Sequence, residues 1–61
     1  MTTMELKSKI KDYKAEHEYA RHRADECHRN NDFYGETIWD VIAVSFGLLV
    51  ENLEIILNHR A

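Results

Sequence analysis

Proline is missing from this 61-residue chain, glycine occurs only twice and cysteine once. With no proline, nothing in the sequence forces a helix to break. Both glycines, Gly35 and Gly47, fall in the second half, so the first thirty residues carry no strong punctuation. The single Cys27 excludes an intrachain disulfide. A chain this short is at the size where a single core is marginal and chains lean on disulfides, metals or oligomerisation.

Two further absences bear on location. There is no apolar leader, because Met1-Thr2-Thr3-Met4-Glu5-Leu6-Lys7 turns charged at once. No secretory signal is read, and with the free thiol this points to a reducing, cytoplasmic setting. There is no bilayer span either. The longest uncharged run, Val41 to Val50, falls well short of the ~20 apolar residues a crossing requires. Asp40, Glu51 and Glu54 would lie in or near hydrocarbon at several kcal/mol.

What the chain does contain is divided unevenly. Its net charge is −3, but residues 1–31 hold seven Lys/Arg against six Asp/Glu, and residues 32–61 hold one Arg against five acids. Apolar content is ordinary for a globular chain at 44%, with aromatics spread along it.

The apolar pattern is helical in both halves. Leu6, Ile10, Tyr13, His17, Ala20, Ala24 and Cys27 alternate at spacings of four and three, a narrow seam along one side of a helix from about residue 3 to 29. Glu5–Lys9, Lys14–Glu18, Arg21–Asp25 and Asp25–Arg29 are opposite charges four apart, each worth ~0.3 kcal/mol if exposed. Asn30-Asn31-Asp32 supplies turn chemistry, and the turn is expected over residues 30–36. Thr37 with Asp40 three residues on has the form of a capping box, so the second helix is expected from Thr37 to about residue 59. Asp32 is the alternative start. His59 and Arg60 suit the C-terminal end of the helix dipole.

The fold class that follows is all-α, an antiparallel two-helix hairpin forming a single domain over residues 1–61. The second helix is apolar round about two-thirds of its circumference, leaving a narrow polar stripe of Asp40, Gly47, Glu51, Glu54 and Asn58. One thin partner cannot cover that arc, and each large side chain left wet forgoes ~1.5–3 kcal/mol. The expected solution is a homodimer, two hairpins forming a four-helix bundle, with Ile38, Val41, Ile42, Ser45, Leu48, Leu49, Asn52, Ile55 and Ile56 in the interface. Ser45 and Asn52 lie seven apart within this face, where a buried polar residue fixes register and oligomeric state.

Chemistry-bearing residues cluster between Glu16 and His28. Glu18, His22 and Glu26 share one face at i, i+4 and i+8, and Asp25-Glu26-Cys27-His28 has the carboxylate-x-x-His spacing of bundle metal sites. Such sites take inward ligands from several helices, whereas these residues point outward and the second helix offers only acids on its polar stripe. A solvated charged face is the reading, with no metal and no cofactor. Cys27 reads as a small core residue. His17 reads as a core-edge histidine bonded to an acid or a carbonyl. There is no Gly-rich loop, no nucleophile elbow and no carboxylate pair on an apolar face, so no enzymatic activity is expected.

Binding remains. Tyr19 lies off the first helix's seam with His22 nearby, and Phe33, Tyr34 and Trp39 follow around the turn. These five are the candidate partner-binding residues, because aromatics outside a core are enriched at interface hot spots. Lys7, Lys11, Lys14 and Arg21 form a loose basic face that could follow phosphates in a dimer. Interleaved acids weaken its field, so nucleic acid ranks behind a protein partner. The function expected is a small interaction module of adaptor or inhibitor type, with a dimeric nucleic-acid-binding regulator as the alternative.

Overall fold

The computed structural model describes residues 1–60. Two helices, α1 (Thr3–Arg29) and α2 (Phe33–Arg60), pack against each other as a hairpin measuring 45 × 14 × 13 Å. No helix among the described residues is long and apolar enough to cross a membrane.

α1 starts at a complete capping box. The Thr2 hydroxyl accepts from the Glu5 backbone N–H at 3.1 Å, and the Glu5 carboxylate reaches back to the Thr2 N–H. This use of Glu5 removes it from the pair with Lys9 expected from sequence. None of the four opposite-charge pairs expected along α1 forms among the described residues. Lys14 instead crosses to Glu54 of α2 at 2.9 Å, while Glu26 takes His22 and Arg23. α1 ends at Asn30, and Asn31 turns the chain at φ 59°. Asparagine tolerates that left-handed conformation better than most residues.

α2 begins four residues before the expected Thr37, and the turn is correspondingly shorter than residues 30–36. Asp32 acts as the cap: its Oδ1 accepts from the Gly35 N–H at 3.0 Å, and its carbonyl accepts from Glu36 at 2.9 Å. Thr37 is already inside the helix, its hydroxyl donating to the Phe33 carbonyl at 2.9 Å. Gly35 makes this early start possible. A Cβ there would meet the Asp32 carboxyl group and lie 2.8 Å from Cys27 Sγ. The missing side chain lets the last turn of α1 and the first of α2 close on each other.

Between the helices, the α1 seam is the better covered side. Leu6, Ile10, Ala20 and Ala24 are buried, with Tyr13 and His17 partly so. Cys27 is only half-buried, not the buried core residue expected, because it lies beside the turn. On α2 only Ala43 is buried. Trp39, Phe46, Val50, Leu53 and Leu57, which share its side of the helix, remain partly open. Tyr13 and Phe46 stack with centroids 5.9 Å apart. The open end of the hairpin is tied by Arg60, whose guanidinium donates to the Met1 carbonyl at 2.7 Å.

Replacing Gly35 by alanine tests the turn. On an exposed helix this change stabilises by about 1 kcal/mol. Here the sign should reverse, with a melting point lower by about 5 °C or more on thermal denaturation, because the new methyl group is overpacked.

Candidate interaction surface

The conspicuous feature of the surface is a continuous, largely apolar seam on the outside of α2. Tyr34, Ile38, Val41, Ser45, Leu48, Asn52, Ile55 and His59 alternate at spacings of four and three, and all are exposed. Tyr34 is 89% exposed, Val41 61% and Leu48 56%. At 100° per residue this line lies about 150° round the helix from the side that meets α1. Val44 borders it on one flank, and Ile42, Leu49 and Ile56 form a second row on the other. Ser45 donates to the Val41 carbonyl at 2.9 Å.

This placement follows from how α1 and α2 engage. α1 offers one narrow seam, large at Leu6, Ile10, Tyr13 and His17 and small at Ala20, Ala24 and Cys27, flanked by Lys9, Glu16 and Arg21, all exposed. It can cover only the side of α2 that carries Ala43. The interface residues expected from sequence all lie outside that contact, with Ile42 partly covered and the other eight exposed.

At the centre of the helix contact is a polar lock. His17 Nδ1 lies 2.7 Å from the Ala43 carbonyl oxygen. A carbonyl only accepts, so the proton sits on Nδ1. Gly47, one turn beyond Ala43, leaves the space for the ring: a Cβ there would lie 3.3 Å from His17 Cε1. The mid-helix glycine is thus explained by a side chain, not by close approach of a second backbone. Two open hollows flank His17, one lined by Lys14, Glu18, Gly47 and Val50, the other by Arg21, Asp40, Ala43 and Val44.

The candidate partner-binding residues fall into two groups. Tyr19 stands edge-on to Trp39, with centroids 5.7 Å apart, and the Arg23 guanidinium lies 5.4 Å from the Trp39 ring centre. Tyr19 is therefore not a lone aromatic, although it remains half exposed. Arg23 belongs to this cluster too, and its (i, i+4) spacing from Tyr19 is the sequence signal for it. His22 is engaged with Glu26 at 2.9 Å. Phe33 and Tyr34 stay exposed at the turn and do not plug the core. Of the basic candidates Lys7, Lys11 and Arg21 are exposed, whereas Lys14 is tied to Glu54.

No group of three or more His, Cys, Asp or Glu side chains among the described residues is arranged to hold a metal ion. His28 pairs with Glu36 at 2.6 Å across the turn, and Glu26 is occupied by His22 and Arg23. Comparison with protein-family models, curated proteins and solved structures finds no match to this chain.

Cys27 provides a test of the turn's electrostatics. Partial burial and the neighbouring Asp32 carboxylate raise its thiol above the ordinary range. Only the thiolate is alkylated. At pH 8 iodoacetamide should therefore modify native Cys27 several-fold more slowly than a free cysteine. Asp32→Asn, which retains the cap, should accelerate the reaction.

Proposed function

We propose that this chain is a non-enzymatic protein-interaction module that works as a homodimer. The outer face of α2 closes on a second copy to form a four-helix assembly, and the outer surface of that assembly binds another protein, as an adaptor or inhibitor does. The observation that carries this reading is the exposed seam from Tyr34 to His59 with its flanking rows. Seven large aliphatic side chains of α2 are exposed on the single hairpin: Ile38, Val41, Val44, Leu48, Leu49, Ile55 and Ile56. A contiguous apolar patch of this kind marks an association surface.

The size of the face supports a stable partner. A helix of 28 residues is about 42 Å long, and roughly half its circumference amounts to about 700 Å² per copy. Standard interfaces bury about 800 Å² on each side. Once α2 is covered, the half-exposed Tyr19–Trp39–Arg23 cluster and the charged outside of α1 remain for a second protein. An aromatic pair with an arginine has the composition of an interface hot spot. A cytoplasmic setting suits the free thiol at Cys27.

The direct test places a charge in the seam. Leu48→Glu should weaken self-association by about 100-fold or more in sedimentation equilibrium, because an unpaired carboxylate would be buried. Lys11→Glu, on the outside of α1, should leave the mass unchanged. A Leu48→Glu protein that retains the dimer mass of the parent would overturn the assignment of this face.

A further inference from the structure

The same face also carries information about how two copies would be oriented. Resting on the self-association just proposed, we infer that the α2 helices pair antiparallel along their full length, about a two-fold axis between Phe46 and Gly47, with each α1 on the outside. Three features of α2 lead to this arrangement.

The first is register. In antiparallel helix packing the two alternating sets of a heptad seam interleave, so a residue of one set lies level with a residue of the other. One set here is Ile38, Ser45, Asn52 and His59; the other is Tyr34, Val41, Leu48 and Ile55. Laying Phe33–Arg60 of one copy against the whole of Phe33–Arg60 of the other fixes the offset. Ile38 then falls level with Ile55 of the second copy, Val41 with Asn52, Ser45 with Leu48 and Tyr34 with His59. Every pair joins one set to the other. Complete overlap and correct interleaving are independent demands, and this sequence satisfies both at one offset.

The second is the composition of the two flanks. The row Ile42, Leu49 and Ile56 is wholly apolar, whereas the opposite row contains Thr37, Val44, Glu51 and Asn58. An antiparallel pair sets each row against its own copy. Ile42 then neighbours Leu49 of the second copy, twice, and on the other edge Glu51 neighbours Val44 and Asn58 neighbours Thr37, an edge open to water. A parallel pair would set Glu51 against Ile56 and Thr37 against Ile42. The polar residues within the seam are accommodated as well. In the antiparallel order the two Ser45 and two Asn52 side chains form one row across the axis, so this order leaves neither without a polar neighbour. A parallel order, Ser45 on Ser45 and Asn52 on Asn52, does the same, and the flanking rows make the distinction.

The third is the ends. Antiparallel pairing brings the Asp32 and Glu36 end of one α2 beside His59 and Arg60 of the other and opposes the helix dipoles. Parallel pairing stacks like ends, Tyr34 on Tyr34 and His59 on His59. The exposed aromatic at the turn, which fills no core within the hairpin, gains a level partner only from a second copy. α1 stays outside because charged side chains border its seam on both sides.

Spin-label distances separate the two orders. With Asn58→Cys in a Cys27→Ser background, labelled with a nitroxide, antiparallel pairing places the two labels about 35 Å apart along the axis. Thr37→Cys in the same background should give about 28 Å by the same geometry. Both distances are measured by double electron–electron resonance on protein whose dimer mass and helicity match the parent. Long distances at both sites support the inference. Short distances, under about 20 Å in a protein of full dimer mass, mean parallel pairing and overturn the antiparallel order alone. A monomeric mass in the unlabelled parent overturns the self-association itself, and this inference with it.

Discussion

Two helices of nearly equal length meet with apolar arcs of unequal width, and the rest of the molecule follows from that inequality. α1 has one narrow seam between charged flanks, with small residues only in its second half, and it can cover one side of α2. The contact is close where Ala20 and Ala24 bury themselves on α1 and Ala43 on α2. Small residues allow close approach, but they also limit how much of the broader helix can be enclosed. The surface left over is a seam from Tyr34 to His59, apolar except at Ser45, Asn52 and His59, and not a scatter of isolated side chains. Scattered apolar side chains are ordinary on protein surfaces, whereas a stripe that keeps heptad spacing along a whole helix has the pattern of helix-to-helix packing, and the proposed self-association rests on it.

Within the hairpin, polar contacts set alignment more than they add stability. The His17 hydrogen bond to the Ala43 carbonyl lies at the middle of the contact, where Gly47 admits the ring. A sliding of one helix by a single turn would lose that bond and bring the ring against a different, larger residue. Lys14–Glu54 and His28–Glu36 add exposed cross-helix pairs, each worth at most about 1 kcal/mol. Arg60 and the Met1 carbonyl hold the open end. The hairpin is thus fixed in register from turn to termini, which gives the outer face of α2 a defined shape to present.

Much of this was legible in the residues. The seam of α1 could be read because its spacing is unbroken and its flanks are charged. The excess apolar surface of α2 could be read from composition alone. The start of α2 was misplaced because Thr37 and Asp40 imitate a capping box, while Gly35 argues against a helix through the turn. Only the proximity of Cys27 and Asp32 shows why glycine is needed there. The link from Tyr19 to Trp39 was equally hidden, since it depends on which residues of two helices come level. The same is true of Lys14, whose local partner Glu18 loses to Glu54 across the hairpin. Local patterns identified the elements and their apolar faces; cross-helix alignment, which no short spacing encodes, decided the individual contacts.

Whether a second copy of the same chain covers the outer face of α2 is decided by sedimentation equilibrium of the unmodified protein over a hundred-fold dilution series, with thermal melts on the same samples. Twice the chain mass is expected at the higher concentrations, with a melting point that rises with concentration, since association stabilises only the folded chain. A monomer throughout, melting at one temperature regardless of concentration, would rule out pairing through this face.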